Sequence, residues 1–128
     1  MSDKRLRRRT LDDLRPLIKD GKYRIASHAV RHAFAEGFTE KDIVGCILYG
    51  KELLRYIEDE RILVLGYIVV SPKVKIPLHV VLEHKLPRHV EIVTAFIPKE
   101  PHRVMSRDRL AEFLRHDQHD VIVKIVGK

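Results

Sequence analysis

The order of patterns along the chain predicts an α+β domain: N-terminal helices packed on a four- to five-stranded antiparallel sheet, with a C-terminal helix. Three observations carry this. Up to Gly50, apolar residues recur at helical spacing: Leu11, Leu14, Leu17 and Ile18, then Ala29, Val30, Ala33 and Phe34, then Ile43, Val44, Ile47 and Leu48. After Gly50 come runs rich in β-branched and aromatic residues at 52–57, 61–70, 77–84 and 89–97, split by short turn-like segments. Helical spacing then returns at Leu110, Ala111, Phe113 and Leu114. Helices first and a meander afterwards argue against a parallel α/β fold.

Taken in order, the first helix is expected to start at Asp12 or Asp13, either of which can cap it, because Pro16 is tolerated only near a helix start. Asp20-Gly21 ends it. Tyr23 to Ala26 runs extended into a second helix, capped by Ser27 and stopped at Gly37, with Ala29, Val30, Ala33 and Phe34 as its packing stripe. Thr39, with Asp42 three residues on, forms a weaker version of the capping box for the third helix, which Gly50 ends. In the strands, Gly66 marks a bulge or a close approach, and Pro77 belongs at a strand start. Pro98 and Pro101 close the fourth strand, Ser106 caps the last helix, and 121–126 reads as a fifth strand, at an edge or a subunit contact.

At 128 residues, 45% hydrophobic, the chain fits one domain (10–128) behind a basic arm (1–9). The arm holds Lys4, Arg5, Arg7, Arg8 and Arg9 against Asp3, which is more than half of the net charge of +7. Such an arm suits a polyanion, so Arg5, Arg7, Arg8 and Arg9 are candidate nucleic-acid contacts. The single Cys46 leaves no internal disulfide, and no apolar run reaches the roughly 18 residues of a membrane helix. A cytoplasmic protein without membrane contact is expected.

His28 and His32 lie four apart and so share a helix face, with Arg31 close by. His79 sits in mid-strand, where alternation puts Leu78, Val80 and Leu82 on one face and His79, Val81 and Glu83 on the other. Thr94 stands in the next strand. The run Tyr23-Arg24-Ile25, Ser27-His28-Ala29, Gly37 to Ile43, Gly50, Tyr56, Leu78 to Val81 and Ile92 to Pro98 resembles a bacterial family, the domain of unknown function 4258. That family is similar in fold to ribonuclease toxins of the RelE, barnase and EndoU type. The resemblance spans about residues 22–98. It implies that His28 is the helix histidine, His79 the strand histidine and Thr94 the threonine of the last motif. It further implies RNA as substrate and an antitoxin-like protein as a further partner, while the strand expected at 121–126 leaves a homodimer open. Where the family often carries arginine, this chain has His32 and Glu36.

Cleaving RNA through its own 2′-hydroxyl needs a base, an acid, and donors for the charge built on phosphorus. Histidine serves either proton role near neutral pH. The expected function is therefore a toxin-like ribonuclease using metal-independent acid–base catalysis and no cofactor. His28 and His79 are its acid–base pair, Arg31 or Arg61 holds the phosphate, Thr94 is a supporting donor, and His32 and Arg61 are further nucleic-acid contacts. Three alternatives stand beside it. One is a non-catalytic nucleic-acid- or protein-binding module of the same fold. Another is a histidine metal site on His28 and His32 with His79 as third ligand, although the HExxH glutamate is Ala29 here and His116 to Asp120 reads as a polar loop. The last is helix-turn-helix DNA binding across Gly37, whose recognition helix would open with the poorly suited Thr39-Glu40-Lys41-Asp42.

Overall fold

The computed structural model describes residues 9–115. Its elements, in order, are α1 (Leu11–Lys19), β1 (Tyr23–Ile25), α2 (Ser27–Glu36), α3 (Glu40–Tyr49), β2 (Lys51–Tyr56), a 3-10 turn (Ile57–Asp59), β3 (Arg61–Ser71), β4 (Val74–Glu83) and β5 (Val90–Phe96). A last helix, α4, opens at residue 107 and runs through 115. The expected strand at 121–126 and the polar run at 116–120 lie outside the described residues.

The fold class is α+β, as expected, but the sheet is mixed. Its order is β1-β5-β4-β3-β2, and β1 joins β5 in parallel, Tyr23 opposite Val90 and Ile25 opposite Ile92. The other three pairings are antiparallel and form the meander. The extended stretch before α2 thus supplies a fifth strand.

One sheet face carries the main core. Leu11, Leu14 and Ile18 of α1 and Ile43, Cys46 and Ile47 of α3 pack with Ile62, Val64, Leu78, Val80, Leu82, Val90, Ile92 and Ala95. The opposite face is smaller, and there Tyr56, Leu63, Val81 and Val93 meet Leu110 of α4. Gly66 marks a close approach and not a bulge: a Cβ there would sit 2.6 Å from Cys46 Sγ and 2.7 Å from its Cα. The bulges fall between Glu52 and Leu54, between Val69 and Ser71, and between Val81 and Leu82.

Several local expectations are corrected. Helix α1 is capped by Thr10, with Thr10 N–H donating to Asp13 Oδ2 at 2.8 Å, so it starts ahead of Asp12 and buries Leu11. Pro16 sits well inside it; the loss of one intrahelical bond is offset by neighbouring Arg15, which donates to the Ile47 carbonyl (3.0 Å) and the Gly50 carbonyl (2.7 Å) of α3. Ser27 is the first residue of α2 and Ala26 its cap, without a side-chain bond. Pro77 lies within β4, not at its start. Thr39 and Ser106 do cap their helices. No described helix is long and apolar enough to cross a membrane.

Candidate functional site

The strand β1 leads directly into α2, and the Ala26 N–H donates to the Ile92 carbonyl at 2.9 Å. Helix α2 therefore continues along the edge of β5 that β1 leaves open. This turns His28 and Ala29 inward, with Ala33 against the core, and leaves Val30 and Phe34 in solvent, so only half of the expected apolar stripe packs. His28 is 2% exposed, and a 2.6 Å hydrogen bond joins its Nδ1 to the fully buried Thr94 hydroxyl. One turn on, His32 Nδ1 is bonded to Glu36 Oε2, while Glu36 Oε1 accepts from the Ile97 N–H at 2.8 Å. One carboxylate thus fixes a histidine ring and the end of β5. The rings of His28 and His32 lie 4.9 Å apart.

The register of β4 against β5 sets His79 opposite Phe96 and Val81 opposite Thr94, so His79, Thr94 and Phe96 share the smaller face. His79 is buried, and its Nε2 donates to the Pro101 carbonyl at 2.7 Å. A carbonyl only accepts, so Nδ1 carries the lone pair. Burial holds this imidazole below the usual histidine range, partly opposed by the Pro101 bond and assisted by the neighbouring charge of His102. Phe96 and Phe113 touch at 5.0 Å; His79 packs on Phe96 at 5.4 Å, and His28 on Phe113 at 5.2 Å. The two histidines are thus set against different rings of one phenylalanine pair.

A pocket of about 520 Å³ opens between the end of β5, the 97–105 loop and α4. Its lining includes His79, Lys99, Arg103, Arg109, Phe96 and Phe113. Glu100 is the one acid in the lining, 3.6 Å from Arg103. Lys99 and Arg109 form no ion pair among the described residues. Buried and open sides therefore meet at His79: a neutral imidazole on one side, exposed cations on the other.

The residues singled out in the sequence separate on this frame. His79 lines the pocket. His28 and Thr94 form a buried bonded pair beside it and are not part of the lining. His32 is turned inward onto Glu36 and Phe113. Arg61 pairs with Glu83 at 3.0 Å, and Arg31 is half-buried with no hydrogen bond or ion pair among the described residues. Arg9 does not belong to a free arm: its guanidinium donates to the carbonyls of His84 (2.6 Å), Leu86 (2.7 Å) and Pro87 (2.9 Å). Arg5, Arg7 and Arg8 lie outside the described residues. No group of three or more His, Cys, Asp or Glu side chains converges as a metal site among the described residues.

The sequence patterns do not single out three lining residues of this pocket, Lys99, Arg103 and Arg109, or His102 in the same loop. The signal for three of them is the presence of Lys99, His102 and Arg103 shortly after the strand that bears Thr94; nothing in the sequence marks Arg109. Comparison of the chain with protein-family models, with curated proteins and with solved structures gives no match in any of the three.

Proposed function

We propose that the chain is a toxin-like endoribonuclease that cleaves RNA without a metal, with the scissile phosphate in the pocket over His79. The observation that carries the reading is one buried, neutral histidine lining a pocket rimmed by Lys99, Arg103 and Arg109. His79 Nδ1 takes the proton of the 2′-hydroxyl. The 2′-oxygen attacks phosphorus, and the bond to the 5′-oxygen breaks. The three cations neutralise the charge that builds on the phosphoryl oxygens. Exposed His102, which follows the carbonyl held by His79, protonates the departing oxygen. His28 and Thr94 act behind the wall as positioning residues, holding β5 and backing Phe113. The resemblance to ribonuclease-toxin folds supports the same substrate class.

The test is cleavage of RNA by the full chain in EDTA. His79→Ala and His102→Ala should each lower the rate by roughly 10²–10⁴ and leave a 2′,3′-cyclic phosphate as the product of what remains. If His102→Ala leaves the rate intact, His102 is not the acid. The pH profile gives an independent check. A base works only unprotonated, so the rate should fall on the acid side with a midpoint below the ordinary histidine value of about 6.5. A midpoint above that value removes His79 from the role.

The burial of His28, with Glu36 and His32 where the resembling family carries arginine, favours a second reading: a non-catalytic RNA-binding module. It predicts no cleavage under any condition, with salt-sensitive binding that weakens when Lys99, Arg103 and Arg109 are replaced together.

A further inference from the structure

We propose that the outer edge of β3, residues 66–70, is a docking strand for an acidic, extended peptide segment of a partner protein. The sheet ends at β2, but β2 pairs with β3 only as far as Lys51 opposite Leu65. Beyond Leu65, β3 runs on to Ser71 and is paired with β4 alone; among the described residues nothing pairs its other side. The Leu65 carbonyl faces that side, where a Cβ on Gly50 would lie 2.4 Å from it. Two and four residues on, Tyr67 and Val69 repeat the orientation. Pro77, which has no N–H to offer, stands opposite Tyr67 and agrees with this.

The edge is also apolar. Tyr67 is 47%, Val69 64% and Val70 60% exposed, with no proline or charge among residues 67–70 to blunt pairing. A groove of about 670 Å³ runs between this edge and the end of α3, with the exposed Tyr49 on its far side. Lys41, Lys51 and Lys75 line it, and none is in an ion pair among the described residues. Its one acid, Asp42, is committed to the α3 cap, where Oδ2 accepts from the Thr39 N–H (2.9 Å) and hydroxyl (3.0 Å).

These features select the occupant. A free backbone ladder flanked by valine and tyrosine suits a polypeptide strand. The unpaired lysines suit carboxylates on it. A second copy of this chain would bring two sets of lysines together, so self-pairing through this edge is disfavoured. The two sites share no lining residue, although Leu65 of this groove pairs with His79 across β3 and β4, and the proposal does not depend on the ribonuclease reading.

The experiment titrates the full chain with a blocked synthetic peptide alternating glutamate and valine, with its lysine-for-glutamate counterpart, and with a single-stranded RNA oligomer. Amide hydrogen exchange is followed throughout. The acidic peptide should bind, slow exchange at Tyr67 and Val69, and bind roughly tenfold more weakly to the Lys51→Glu, Lys75→Glu double variant. Arg103→Ala, a change confined to the other pocket, should leave this binding unchanged. No binding of the acidic peptide, or binding without new protection at Tyr67 and Val69, overturns the proposal. Protection that grows with protein concentration in the absence of peptide overturns it in favour of a second copy. RNA that loses affinity in the lysine variant, with the peptide inert, overturns it in favour of a nucleic-acid groove.

Discussion

Helices α2 and α3 are neighbours of equal length, ten residues each, and both stop at a glycine, yet only α2 buries a histidine. Helix α3 turns Ile43, Cys46 and Ile47 into the core, as its apolar spacing predicts. Helix α2 turns in His28 and Ala29 and leaves Phe34 90% exposed. The difference lies in what each helix meets. Helix α3 lies on an apolar sheet face. Helix α2 lies along a strand edge, where the Thr94 hydroxyl and the Ile97 N–H need partners. A polar side chain is costly to bury only when it is left unbonded. His28 and Glu36 bring bonds to that edge, while Val30 and Phe34 stay exposed.

The sharpest way to break this contrast is to truncate one apolar residue in each helix. Ile47→Ala should cost about 2–5 kcal/mol in urea unfolding, since Ile47 is fully buried in the main core. Phe34→Ala should stay within about 0.5 kcal/mol. A comparable loss at Phe34 would mean that α2 is rotated the other way. Next in size is Glu36→Ala, which strips the partner from His32 Nδ1 and from the Ile97 N–H together and should cost about 1–3 kcal/mol. Its signature is faster exchange of the Ile97 amide; an unchanged rate there would show that the carboxylate does not hold the end of β5. The smallest effect compares the two caps. Thr39→Ala should lower stability by about 1 kcal/mol, because Thr39 and Asp42 bond reciprocally. Ser27→Ala should be close to neutral, because α2 has no side-chain cap bond. Equal losses would place Ser27 back at the cap.

The meander was legible because its strands carry long β-branched runs that no helical spacing could match, and α3 was legible because its stripe and cap agree. Pairing of β1 was not legible: a strand of three residues has no pattern of its own and exists because Val90 to Ile92 offer a free edge. Thr10 was missed as a cap because Pro16 drew the start of α1 inward. At the site, His79 could be marked as an oddity in mid-strand, but the cations of its pocket could not. Lys99, Arg103 and Arg109 are ordinary surface residues until the loop after β5 and α4 carry them to His79.

Composition and periodicity by themselves determined the class of fold, the four consecutive strands and the type of side chain able to move a proton. These depend on local spacing, and local spacing is written along the chain. Only the tertiary structure decided which histidine meets a pocket, which way α2 faces and which strand edge is left bare. Those outcomes depend on residues far apart in sequence competing for the same hydrogen bonds and the same buried space, and no local pattern records who wins.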